Sequence, residues 1–223
     1  NIDFIENTLY ILMQNSNGIE ILSVETSPAH YDTDATYLTH LDRKVNESTT
    51  GLSRSYSSGT GNTTITLPFT IDNIMEMVTR KVSGSSTIAG QKVTISSQTD
   101  GGNTIVVSGD YSSEKFFIGE AYTFEYQFSQ QYLQTQSNIS GTRSAIKDGR
   151  LQIRNWTVSF NDTGYFQTSV TPKGRSESTT TFSGAIVSSA TVNGVNLEDG
   201  DYTFAVQSRN DQLIVKLTNN SHL

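Results

Sequence analysis

The sequence contains no cysteine. That removes disulfides, thiolate metal ligands, cysteine nucleophiles and iron–sulfur chemistry together. Proline is scarce, at 3 of 223 residues, and Pro28, Pro68 and Pro172 all fall outside or at the ends of strand-like runs, where a missing N–H does no harm. Charge is also scarce, with 17% Asp, Glu, Lys and Arg, so self-repulsion does not force disorder. What charge there is leans acidic. Twenty-two Asp and Glu against 15 Lys and Arg give a formal −7, which argues against wrapping on nucleic acid, because phosphate binding needs clustered cations. No apolar run approaches the roughly 18 residues of a membrane helix. Stretches rich in Ala, Leu and Glu are missing too, which excludes an all-α protein or a coiled coil.

Hydroxyls fill the space left by charge: roughly a quarter of the residues are Ser or Thr. Ten Tyr and 10 Phe supply core material. The dominant pattern is alternation with period two between Gly, Asn, Asp and Ser turns. It predicts strands at 9–14, 19–25, 75–81, 92–97, 104–108, 121–129, 151–160, 165–171 and 179–182. Near the C-terminus, Tyr202, Phe204 and Val206 share a face, Arg209-Asn210-Asp211 reads as a tight turn, and Leu213, Val215 and Leu217 return as the second half of a hairpin. In 151–160 the apolar phase switches from Leu151/Ile153 to Trp156/Val158/Phe160, which places a bulge near Arg154–Asn155. Short turns near 35–41 and 130–134 are the only helical candidates. Ser53–Thr64 reads as a flexible low-complexity loop.

The expected fold is all-β: antiparallel β-sandwich or barrel-like domains, with an N-terminal hairpin (9–25) resembling part of a propeller blade. Soft boundaries divide the chain into residues 1–45 (the end of a propeller-like region and a linker), 46–115 (a small β-rich domain or insertion) and 116–223 (an antiparallel sandwich-like domain). The opening Asn1-Ile2-Asp3-Phe4 carries neither Met nor a basic-then-apolar leader, which leads to the expectation of a slice of a longer polypeptide.

A search for chemistry finds little. His30, His40 and His222 have no ligand-spaced His partner and read as surface or packing residues. The segment Gly84–Lys92 misses the phosphate-loop spacing and lacks Ser or Thr after the lysine. Asp32-Thr33-Asp34 and Glu198-Asp199-Gly200-Asp201 offer oxygen ligands but do not fit a twelve-residue calcium loop. The ladder Tyr122/Phe124/Tyr126/Phe128 reads as the core-facing side of a strand, with a sugar-stacking platform as the alternative. Neither a catalytic residue, nor a metal ligand, nor a cofactor is expected. The one local charge feature is a basic stretch, Arg143, Lys147, Arg150 and Arg154. It reads either as a solvated loop or as a patch that docks on an acidic neighbouring subunit.

Three phrases carry a likeness: Phe117–Ser129, Gly149–Phe166 continuing through Pro172 to Arg175, and Ser208–Asp211 leading to Leu217–Ser221. Together with Asn7–Met13 and Tyr37–Lys44, they resemble the C-terminal portion of the tail tubular protein B family, the tail nozzle proteins of short-tailed (podovirus) phages. The resemblance implies a non-enzymatic virion subunit, made in the bacterial host cytoplasm, that forms a ring of six around the tail channel. Its partners would be the adaptor (gatekeeper) ring and the tail fibres, with DNA passing through but not held and no membrane insertion. A chain covering only this portion is expected to be monomeric alone. Two rivals come from other classes. One is a carbohydrate-binding or polysaccharide-degrading tail component, with Glu114, Glu120, Glu125, Asp199 and Asp201 as available carboxylates. The other is a bacterial adhesin domain.

Overall fold

The computed structural model describes residues 2–5, 8–15, 18–25, 39–81, 89–136, 143–146, 149–184 and 196–222. His30, Asp32, Asp34, Lys147 and most of the 84–92 segment lie outside these residues. Contacts divide the chain into two compact units. One runs through Tyr122 and takes in His222; the other lies between Thr123 and Ser221. Every sheet is antiparallel, none closes into a barrel, and no α-helix occurs among the described residues.

In the first unit β1 (Ile2–Ile5), β2 (Thr8–Asn15) and β3 (Gly18–Glu25) form a meander. Leu12 lies opposite Ile21 and Gln14 opposite Ile19. One face therefore carries Tyr10, Leu12, Ile19 and Ile21, and the two isoleucines are 69% and 72% exposed. The remaining strands are β4 (Asp42–Asn46), β5 (Ser53–Ser57), β6 (Asn62–Thr66), β7 (Met75–Lys81), β8 (Lys92–Val93), β9 (Ile95–Gln98), β10 (Thr104–Ser108) and β11 (Lys115–Glu120). They form two four-stranded sheets, ordered β5-β6-β10-β9 and β4-β11-β7-β8. The inner faces meet in one apolar cluster: Ile65, Ile105 and Val107 from one sheet, Met75, Met77, Val93, Phe116 and Ile118 from the other. The strand expected over 92–97 breaks at Thr94, because β8 pairs with β7 and β9 with β10, so the chain changes sheet there.

The expected flexible loop at Ser53–Thr64 is instead a hairpin, β5 and β6, in full register from Ser53↔Thr66 to Ser57↔Asn62. A strand of serines and threonines shows no apolar alternation, yet its hydroxyls can satisfy backbone groups and so be buried. Thr63 does this: its Oγ1 donates to the Gly109 carbonyl at 2.6 Å and accepts from the Tyr111 N–H at 3.0 Å, and the residue is fully buried.

The central strand β11 is inaccessible on both faces from Phe116 to Glu120: Phe116 and Ile118 join the apolar cluster, while Lys44 and Arg80 lie over the Phe117 ring. Its register to β4 shifts between Ile118 and Glu120. At Gly119 an added Cβ would stand 2.7 Å from the Asp42 carbonyl oxygen and 2.8 Å from the Leu41 Cβ. Gly119→Ala should therefore cost roughly 1–3 kcal/mol through overpacking against backbone. Urea unfolding that shows no loss would contradict this close approach.

The second unit holds β12 (Phe124–Gln127), β13 (Leu133–Gln136), β14 (Arg143–Ile146), β15 (Gln152–Thr163), β16 (Tyr165–Pro172), β17 (Ser178–Ser183), β18 (Glu198–Arg209) and β19 (Leu213–Asn219). A four-stranded sheet, β12-β19-β16-β17, packs on the two-stranded ribbon β15-β18. Val170 and Val215 of the sheet meet Phe204 and Val206 of the ribbon, with Trp156, Val158 and Phe128 packed around them. Beside them Phe166 stacks on Phe182 with ring centroids 4.9 Å apart, and Phe160 meets Phe182 at a tilt, 4.5 Å between centroids. The bulge expected near Arg154–Asn155 is present: the β15–β18 register shifts between Ile153 and Asn155. The turn at Arg209–Asp211 is a single 3-10 turn over Asn210–Gln212. Gln130–Gln134 is not helical; it is extended and runs into β13.

Candidate functional site

Three of the four residues of the expected basic patch can be placed. Arg143 is on β14, Arg150 lies just before β15, and Arg154 sits at the β15 bulge; all three are exposed. Arg150 acts on the turn that ends β18. There the Arg209 guanidinium grips Asp211 with two bonds, Nε to Oδ1 at 3.1 Å and Nη2 to Oδ2 at 2.6 Å. Hydrogen bonding from Arg209 holds the Asp211 carboxyl below its ordinary range, and the Arg150 charge adds a smaller pull in the same direction.

The residue that organises this region is Asn210, which sequence reading treated only as a turn residue. It is 3% exposed. Its Nδ2 donates to the Gln131 carbonyl at 2.7 Å and to the Gly149 carbonyl at 3.3 Å, while its Oδ1 accepts the Leu151 N–H at 3.0 Å. Its own N–H donates to the Leu151 carbonyl at 2.9 Å. Gln131 precedes β13, while Gly149 and Leu151 follow β14. One buried amide thus clamps both stems of the β13–β14 ribbon to the end of the sandwich. A shallow recess lined by Phe128, Gln131, Trp156, Asn210 and Leu213 marks this root. Beyond it Leu133 pairs with Ile146 and Gln136 with Arg143. The side chains of Leu133–Thr135 and Arg143–Ile146 are exposed on both faces of the ribbon.

The aromatic ladder departs from expectation. Phe128 is half-buried against Trp156, at a centroid distance of 5.2 Å, but Phe124 and Tyr126 are 42% and 51% exposed, and Tyr122 is exposed as well. The alternation on β12 does place Phe124, Tyr126 and Phe128 on the core side of the sheet. The opposing ribbon has two strands against four, and it leaves the β12 end of that face open. On the other face, Lys216 Nζ donates to Glu125 Oε1 at 2.8 Å; that bond and the nearby Glu177 raise the lysine pKa.

The other carboxylates considered are tied into local structure. Glu120 accepts from Arg43 Nη1 at 2.9 Å and from Asn73 Nδ2 at 3.0 Å. Asp199 Oδ1 accepts the Asp162 N–H at 2.7 Å, and Asp201 Oδ1 accepts from Ser159 Oγ at 2.6 Å. Among the described residues no group of three or more His, Asp or Glu side chains is arranged to hold a metal ion. Nor is any helix among them long and apolar enough to cross a membrane.

His40 packs against Tyr122 with the rings tilted, at a centroid distance of 4.0 Å. His222 is half-buried in the first unit. Its Nε2 carries the proton, because its partner 3.0 Å away is the Gly90 carbonyl, which can only accept. Burial lowers the His222 pKa from its ordinary 6.5 and outweighs the pull of that carbonyl and of Glu76. An unfolded chain therefore takes up this proton near pH 6.5, while the folded one resists it until lower pH. The contribution to stability is fully present above 6.5, falls as pH drops through that value, and levels off below the folded pKa. The wild-type chain should lose stability between about pH 7.5 and 5.5 more steeply than His222→Gln, which keeps a donor for Gly90 but does not titrate. Equal slopes in denaturant titrations would rule this out.

A family model described as bacteriophage nozzle protein matches residues 1–223, the full length of the chain. No curated protein matches it.

Proposed function

The chain belongs to the bacteriophage nozzle protein family and is a structural component of the virion tail; from that premise we propose that it is a non-enzymatic, ring-forming subunit that lines or supports the channel for DNA ejection. Six copies form the ring, which meets the adaptor above and the tail fibres around it, and the chain is made in the host cytoplasm before assembly. The observation that carries this reading is the family match along the entire chain. Physical chemistry supports it from two sides. A surface with a formal −7 repels phosphate, so DNA passes without being held. A hydroxyl-rich surface with few long cationic side chains loses little conformational entropy when subunits pack. The basic residues Arg143, Lys147, Arg150 and Arg154 belong, on this reading, to a contact with an acidic neighbouring subunit.

Exposure of Phe124 and Tyr126 favours one rival, a carbohydrate-binding or polysaccharide-degrading tail component. Incubation with host polysaccharide separates the two. The structural reading expects no release of reducing ends. Release that is abolished by a single carboxylate-to-amide change, for example Glu125→Gln or Asp201→Asn, would replace it with a glycosidase reading.

A further inference from the structure

We infer that the β13–β14 ribbon is an arm that docks on the β12 edge of a second copy of this chain, head to tail. The inference rests on the reading of the chain as an oligomeric tail subunit and names the contact between its copies.

Two parts of the second unit are incomplete in complementary ways. The four-stranded sheet overhangs its two-stranded cover, so the core-side face of β12 shows Tyr126 at 51% exposure beside Phe124. Among the described residues β12 pairs only with β19, so its other edge offers backbone N–H and C=O groups to an added strand. The ribbon has the opposite deficit. Its two strands pair only with each other among the described residues, and an isolated pair of strands is marginal in water. Yet it exposes Tyr132, Leu133 and Ile146 from a root that Asn210 holds in place. Both surfaces are exposed in the same chain, so the ribbon does not cover its own β12.

The charges match as well. The ribbon brings Arg143, whereas β12 brings Glu125, which Lys216 on the neighbouring β19 also reaches. On the opposite face of β12 from Glu125, Tyr126 offers a ring face for a guanidinium. Because donor and acceptor are different surfaces, the contact is heterologous, the type that builds a ring when its rotation closes.

The absence of native cysteine makes the test clean. Virions are prepared whose tail protein carries both Tyr126→Cys and Ile146→Cys, and tails are oxidised and run without reductant. The expected result is a ladder of covalent multimers extending past the dimer, with a several-fold lower yield when Arg143→Glu is added. A second pair, Phe124→Cys with Leu133→Cys, guards against poor geometry at the first, and reduced variants are checked for wild-type thermal unfolding. Intact tails that give only internally linked monomer, dimers that go no further, or no link with either pair overturn the arm contact and leave the tail-subunit reading standing. Purified tails that lack the chain by mass spectrometry overturn both.

Discussion

Glu47→Ala is expected to lower the stability of the first unit by about 3–5 kcal/mol, the largest effect of any exchange considered for this chain. The Glu47 carboxylate lies 2.8 Å from Arg80 Nη1, and the two side chains are 9% and 5% exposed. Its second oxygen accepts the N–H of Phe116, in the central strand, at 3.2 Å. Arg80 in turn lies over the Phe117 ring, 4.9 Å from its centroid. Truncating Glu47 takes a carboxylate from a buried guanidinium and a side-chain acceptor from a core amide at one stroke. Desolvation makes such a loss far more costly than the loss of an exposed pair. Glu47→Gln keeps an acceptor for Phe116 and should fall between wild type and alanine. A double change, Glu47→Leu with Arg80→Met, should cost less than the sum of the single truncations, because no buried charge then remains. Chemical denaturation of these three variants and of Arg80→Met alone checks this, and an alanine variant within about 0.5 kcal/mol of wild type would sink the argument.

Asn210→Ala should produce the second large effect, about 3 kcal/mol, confined to the second unit. Three backbone groups lose their side-chain partner: the carbonyls of Gln131 and Gly149 and the N–H of Leu151. Each buried group left unpaired costs roughly 1–3 kcal/mol, reduced where water can enter the recess beside them. Asn210→Asp sharpens the test. It keeps the acceptor for Leu151 but turns a carboxylate toward two carbonyl oxygens, and it should be at least as damaging as alanine at neutral pH. Hydrogen exchange should show faster exchange at the Leu151 amide and across Leu133–Gln136 and Arg143–Ile146, with Phe116–Glu120 unchanged. Uniform loosening of both units would mean that Asn210 is not a local clamp.

Much of the strand pattern was legible. Strands 75–81 and 104–108 match the observed β7 and β10 end to end, because a short, largely apolar run, Met75 to Val78 in one and Ile105 to Val107 in the other, stands between polar and turn residues. The irregularity beside Asn155 was legible as a phase switch in β15, and in the register two steps along β15, from Ile153 to Asn155, face three along β18, from Ser208 to Ala205. β5 and β6 were not, because Ser and Thr are equally at home in loops, and the bond from Thr63 to Gly109 spans 46 positions. The role of Asn210 was hidden for the same reason: its partners Gln131, Gly149 and Leu151 lie 59 to 79 positions away.

The ladder on β12 marks the boundary between what each level determines. By itself the sequence determined which side of β12 bears Phe124, Tyr126 and Phe128, because facing depends only on residues two apart. It likewise determined an acidic, thiol-free, all-β chain and the likeness to tail nozzle proteins. Only the tertiary structure decided that Phe128 lies under Trp156 while Tyr126 stands half in solvent. Cover depends on how many strands the opposing layer has, and that number arises from pairings between distant segments. It also decided that Glu47 and Arg80, 33 positions apart, share one buried site, since an ion pair is made where strands from separate stretches of chain are brought side by side.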